Sequence, residues 1–229
     1  MSCLCIIPAK KNSKRLKNKN FKLFNNKPLI YWTIKVAKES GLFQDIIVST
    51  DSKIIKTHAI KMEVKAPFLR PKIISKKNTP MSAVIEHALN HQRKIDKTYK
   101  YVCILQPTSP IRTTSKLKKV FNFFKNNNFD SLTTVKRLKH TSFPSFVFKD
   151  KNKISKKIIK NIQNKNQFEY KNSYYCLDGG YAFFTKTNQL YKDILGGKIG
   201  FFEISEIESQ DIDNLDDFKI AEAIHKNIK

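Results

Sequence analysis

Three short runs in the chain have unbroken apolar centres: CLCIIP at 3–8, DIIVST at 45–50 and YVCILQ at 101–106. They constrain the fold more than any other feature. A strand that is apolar at nearly every position has both faces buried, as happens when a parallel sheet is covered by helices on both sides. The segments between the runs supply those helices. Residues 28–40 carry apolar side chains at helical spacing, opened by Pro28 and closed by Gly41. Asp51 is placed to cap the helix that follows it, and further helices are expected at 81–94, 115–126 and 215–227. Additional strands are expected at 131–136, 180–185 and 199–204. The predicted fold is α/β, with a mainly parallel sheet and helices on both faces, in one domain over residues 1–229. The stretch 137–175 breaks the pattern. It is polar, rich in Lys and Asn, and reads as an inserted arm or dimerisation region.

The net charge of +25 admits two explanations. One is a polyanion surface for RNA or an anionic membrane. The other is a solvated Lys-rich exterior with one phosphate pocket. Only five of the 44 basic residues are Arg, and the Lys are spread along the whole chain, which favours the second. The aromatic pairs Phe123-Phe124, Phe183-Phe184 and Phe201-Phe202 lie in apolar, core-like surroundings and not among the cations, which argues against nucleic acid. An Arg kept against such a background points to a planar, bidentate task, so Arg70 and Arg112 stand out. No run reaches the ~18 apolar residues of a membrane span, and the first residues lack a signal-peptide pattern, so a cytoplasmic protein is expected. Cys3, Cys5, Cys103 and Cys176 have no zinc or redox spacing and read as small buried hydrophobes. His87 and His91 stand four apart on one helix face, yet no third ligand accompanies them, and they read as helix-surface residues.

In a sheet of this type, ligands sit beyond the carboxyl ends of the strands. The loop after the first strand, 9–20, packs five Lys and Arg15 with Asn and Ser donors, and it lacks the glycines of a P-loop. Arg70 is fixed between Pro67 and Pro71. Gln106, directly after the most apolar strand, can read a base edge through its paired donor and acceptor. Asp211 and Asp213 stand two apart ahead of the last helix. In extended backbone they point the same way, as hard-oxygen ligands for Mg²⁺ beside a triphosphate would. Asp213 also has a structural reading, as helix N-cap with Asp216 as its N3 partner.

Six stretches in order carry a resemblance: IIPAKKNSKRLKNKN, KPLIYWTI, IIVSTD, PFLRP, LQPTSPIRT and DIDNLDDFKIAE. Together they resemble the CMP-sugar synthetases, specifically the acylneuraminate cytidylyltransferase family. The resemblance implies a nucleotide-diphospho-sugar transferase-like fold, CTP as donor, Mg²⁺ as cofactor, an acidic nonulosonic sugar as acceptor, and a homodimer whose arm reaches toward the partner's site. By its motifs, Lys10, Asn12, Ser13, Lys14, Lys19 and Asn20 hold the triphosphate, and Lys10 and Lys19 act in catalysis. Arg70, Ser82 and Gln106 recognise cytidine, although Ser82 equally suits the start of its helix. Asp211 and Asp213 hold the metal. Lys165, Gln167, Asp178 and Tyr181 match, more loosely, positions facing the sugar. Lys10 stands where the family has Arg, Lys165-Asn166-Gln167 where it has Arg-Arg-Gln, and Asp178-Gly179 where it has Asn-Gly. The expected acceptor is an N-acylneuraminate or close relative, with legionaminic, pseudaminic and 3-deoxy-octulosonic acids as alternatives. LQPTSPIR looks nearer to the sialic and legionaminic branch than to the pseudaminic one.

Overall fold

The computed structural model describes residues 2–11, 13, 15–76, 78–137, 149–150, 153–154, 175–178, 180–189 and 194–228. The expected arm at 137–175 lies almost entirely outside these residues, as do Asn12, Lys14, Lys165 and Gln167. The side chain of Cys176 is also outside the description.

The chain runs through β1 (Cys3–Pro8), the hairpin strands β2 (Leu23–Phe24) and β3 (Lys27–Pro28), α1 (Leu29–Ser40), β4 (Asp45–Ser49), α2 (Lys53–Lys61), α3 (Met81–Arg93), β5 (Tyr101–Ile104), α4 (Thr114–Asn126) and β6 (Ser131–Arg137). There follow β7 (Lys149–Asp150), β8 (Lys153–Ile154), β9 (Tyr175–Leu177), β10 (Phe183–Lys186), β11 (Ile199–Ile204) and a last helix, α5 (Leu215–Asn227). The main sheet has the order β11-β6-β10-β5-β1-β4, with β9 pairing on β6. β1 is parallel to both β4 and β5, and β11 is parallel to β6, whereas β10 runs antiparallel between β5 and β6. The sheet is therefore mostly parallel.

Alternation along β1 explains its unbroken apolar sequence. Cys3, Cys5 and Ile7 enter one core with α1 and α4, while Leu4 and Ile6 enter a second with Ile85, Ala88 and Leu89 of α3. Both faces are buried, as the sequence requires. Cys3, Cys5 and Cys103 are free and buried. A third cluster joins Leu16, Phe24, Leu29 and Trp32 to Ile212, Phe218 and Ala221. It docks α5 against the first loop and so brings the two ends of the chain to the same place. The β2–β3 turn places Asn25 and Asn26 at φ 46° and 63°, the conformation a two-residue hairpin loop needs. The Asn25 backbone N–H then donates to Glu222 of α5 at 2.7 Å.

Three sequence expectations change. Ser52, not Asp51, caps α2, its hydroxyl accepting from Ile55 N–H. Asn214 caps α5 in a capping box with Asp217, so neither Asp213 nor Asp216 has that role. Phe124, Phe183 and Phe184 are buried as expected, but Phe201 is 53% exposed on the edge strand β11. Among the described residues, no helix is long and apolar enough to cross a membrane.

Candidate active site

The chain leaves β1 toward β4 on one side and later returns to β5 on the other. The carboxyl ends of β1 and β5 therefore form the topological switch point at which open α/β sheets bind ligands. A cavity of about 610 Å³ opens there. It is lined by Lys10, Ser13, Lys19, Asn20, Arg70, Gln106, Asp211 and Asp213, so eight residues expected from sequence meet in one place. Arg15, Lys76, Thr79 and Thr108 also line it. Ser82 does not, although its neighbours Met81 and Val84 do; it sits in the first turn of α3, as its structural reading had it.

The first loop is held from several directions. Asp51 accepts a hydrogen bond from Lys11 N–H at 2.6 Å, which is what this residue does in place of capping α2. The Asn20 amide donates to Lys10 C=O at 3.0 Å. Lys19 is buried, and its ammonium donates to Ile212 C=O. Burial lowers its pKa, and the charges of Asp211 and Asp213 oppose that fall. Asp213 is 2.8 Å from Arg15 and 3.6 Å from Lys19.

On the far wall, Arg70 is buried, with its N–H on Thr50 C=O at 2.7 Å and its guanidinium Nε donating to Ser75 Oγ at 3.1 Å. Gln106 follows β5; its backbone N–H donates to Gly180 C=O at 3.2 Å, and its side chain faces the cavity. Ile212 N–H donates to Thr108 C=O at 2.8 Å, which stitches the acidic segment to the loop after β5.

Two carboxylates, Asp211 and Asp178, are less fully offset than this frame. Burial pushes the pKa of Asp211 up, the like charges of Asp213 and Asp217 add to it, and the Thr108 side chain and Lys19 oppose it. Asp178 is buried and is raised to about 6 by burial and then by the charge of Asp211. Its Oδ2 has no hydrogen-bond partner among the described residues. An under-compensated group of carboxylates beside lysines suits a hard divalent cation, which takes one or two carboxylates and leaves its other positions to water or phosphate. Asp211 and Asp213 fit that need. Among the described residues no set of three or more His, Cys, Asp or Glu is assembled.

Tyr181 is placed differently from expectation. It is fully buried, its ring lies 5.2 Å from the Arg112 guanidinium, and its hydroxyl accepts from Thr113 N–H at 3.4 Å. Burial raises it to about 12. The side chain packs in the core cluster with residues of α1 and α4 and does not line the cavity. His87 and His91 both pack against Phe68, with ring centroids 4.4 and 5.2 Å away. Arg15 and Thr108 were visible in the sequence as members of their loops. Lys76 and Thr79 carried no signal, because the turn that brings them in (Lys72–Ser75) has no repeating pattern.

A basic cavity with a carboxylate pair thus stands where open α/β sheets bind their ligands. The chain belongs to the cytidylyltransferase family, whose profile matches residues 4–205, and it is accordingly a nucleotidyltransferase. It is similar to the pseudaminic acid cytidylyltransferase of Campylobacter jejuni serotype O:2, 29% identical over 227 residues, covering 99% of this chain and 97% of that one. A match at 36% identity to the CMP-N,N'-diacetyllegionaminic acid synthase of Legionella pneumophila covers 52% of this chain and 51% of the relative. In fold it is similar to a CMP:2-keto-3-deoxy-manno-octonic acid synthetase solved with CTP, with a TM-score of 0.73, 14% identity and full coverage of both chains.

Proposed function

We propose that this protein transfers CMP from CTP to the anomeric hydroxyl of a nine-carbon acidic sugar of the nonulosonic class, releasing pyrophosphate. The convergence of Lys10, Lys19, Arg70, Gln106, Asp211 and Asp213 on one cavity carries this reading. Pseudaminic acid is the favoured acceptor, because the relative of that name aligns along the whole chain. The legionaminic relative, which agrees with the reading of LQPTSPIR, aligns over half of it.

The protein's part is positioning and charge neutralisation. Gln106 and Arg70 hold the cytosine. Lys10, Lys19 and Arg15 take up the charge that develops on the departing pyrophosphate. Lys19 is fixed for this by Ile212 C=O, so little reorganisation is needed when charge builds. Mg²⁺, held by Asp211 and Asp213, supplies Lewis-acid stabilisation of the phosphate oxygens when bound. We assign Asp178 to the acceptor on the resemblance of its segment; its charge interacts with that of Asp211.

We further propose a cytoplasmic homodimer. An apolar strip at the sheet edge supports it, where Leu177 is 63% and Phe201 53% exposed beside Val135. The decisive experiment incubates the protein with CTP, Mg²⁺ and a panel of nonulosonic acids, and identifies the CMP-sugar by mass. A CMP-nonulosonate is expected. Turnover of none of the panel would reject the acceptor class.

A further inference from the structure

Arg112 lies outside the cavity lining and yet ties Gln106, which lines it, to Gly180 and Tyr181. It is 5% exposed. Its Nε donates to Tyr181 C=O at 2.6 Å; one terminal nitrogen donates to Gly180 C=O at 2.9 Å and Gln106 C=O at 3.2 Å; the other donates to Thr33 Oγ1 of α1 at 3.2 Å. Among the described residues it forms no ion pair; three backbone carbonyls, the Thr33 hydroxyl and the face of the Tyr181 ring compensate its buried charge. Retention of a guanidinium in a chain with five Arg among 44 basic residues points to a geometric task. A lysine has no planar fork and cannot reach four acceptors in those directions.

We propose that Arg112 is a positioning residue that clamps the base-reading loop, 106–108, to Gly180 and Tyr181, and so sets the separation of Gln106 from Asp178. The proposal rests on the nucleotide and acceptor roles assigned above. The clamp has little slack. A Cβ on Gly180 would stand 2.4 Å from Ser109 Oγ and 3.4 Å from a carboxylate oxygen of Asp178, so a branched side chain there has to part the loops. Loop spacing then ties nucleotide selectivity to acceptor binding through one side chain that touches neither ligand.

The test compares Arg112→Lys, Gly180→Val and Thr33→Val for melting temperature, KM for CTP, KM for the acidic sugar, and CTP-over-UTP preference. Arg112→Lys is expected to raise both KM values together and cut the CTP preference about ten-fold, the size of one lost buried hydrogen bond. Gly180→Val reproduces that signature from the other side of the clamp. Thr33→Val, which removes only the anchor to α1, lowers the melting temperature and leaves the preference unchanged. A native preference and native KM values in Arg112→Lys overturn the proposal; if that variant does not fold, the same result in Gly180→Val does so. Wild-type protein indifferent to CTP over UTP would reject the functional reading and this proposal with it. A wild-type preference that survives both clamp variants rejects the proposal alone.

Discussion

The two ends of the sheet treat buried carboxylates in opposite ways. At the amino ends of the strands, Asp45 accepts from Lys65, from Lys97 at 2.9 Å and from the Tyr99 hydroxyl. Burial pushes its pKa up, but those hydrogen bonds outweigh burial and leave it below its ordinary 3.8. At the carboxyl ends, Asp211 and Asp178 are both raised, and Asp178 Oδ2 has no partner among the described residues. One end spends its polar groups on stability, while the other keeps unsatisfied charge where a ligand can answer it. Perturbed groups whose internal partners do not offset burial are what a functional site looks like in a fold that otherwise satisfies itself.

The largest effect that would break this contrast is expected at Asp211. Asp211→Asn should lower kcat/KM about a thousand-fold, measured by pyrophosphate release, with a melting temperature equal to or above that of the wild type. A collapse of stability in this variant would put Asp211 with Asp45 among the structural carboxylates. Next in size, Gln106→Leu should reduce CTP-over-UTP preference about ten- to hundred-fold, since a buried polar partner is lost from one side of the base. Competition between the two nucleotides measures it, and an unchanged ratio would remove Gln106 from base reading.

At the other end the expectation reverses. Asp45→Asn should cost about 2 kcal/mol at neutral pH, the scale of hydrogen bonds to a charged group, and leave kcat/KM of the folded protein unchanged. The pH dependence follows from the sign of the shift. The folded pKa is depressed, so the unfolded chain binds the proton first as pH falls. The contribution of Asp45 is therefore complete above the unfolded value of 3.8 and is lost as pH drops through the lower folded value. Urea melts at several pH values should show wild type and Asp45→Asn converging in strong acid. A gap that persists there would mean that packing, not charge, carries the effect. The smallest change is expected at the cap of α5. Asn214→Ala should lower stability by about 1 kcal/mol with little effect on turnover, because Asp213 keeps its contacts with Arg15 and Lys19 whichever residue caps the helix.

The same two regions show what a sequence discloses. Strands buried on both faces announce themselves, so β1, β4 and β5 were legible to within two residues, and with them the switch point. The basic loop, Gln106 and the acidic pair could be named because each follows a strand or precedes a helix in the chain. Legibility failed where neighbouring residues compete for one job. Asp51 and Ser52 both suit a cap, as do Asp213 and Asn214, and only backbone geometry decides between them. It failed again where spatial order overrides chain order. The insertion of β10 antiparallel between β5 and β6 buries Tyr181 and delivers Asp178 to Asp211, and no local pattern records it.

Transfer of the cytidylyl group in the carboxyl-end cavity is the step on which every other assigned role depends. Its most direct test supplies CTP labelled at the α-phosphate, with Mg²⁺ and pseudaminic acid, to wild type and Asp211→Asn in parallel, and follows the label by chromatography. The account predicts that wild type transfers the label to the acidic sugar, while Asp211→Asn, folded and melting as before, leaves it in CTP. Label appearing on the sugar at the wild-type rate in Asp211→Asn, or never reaching the sugar in wild type, would contradict it.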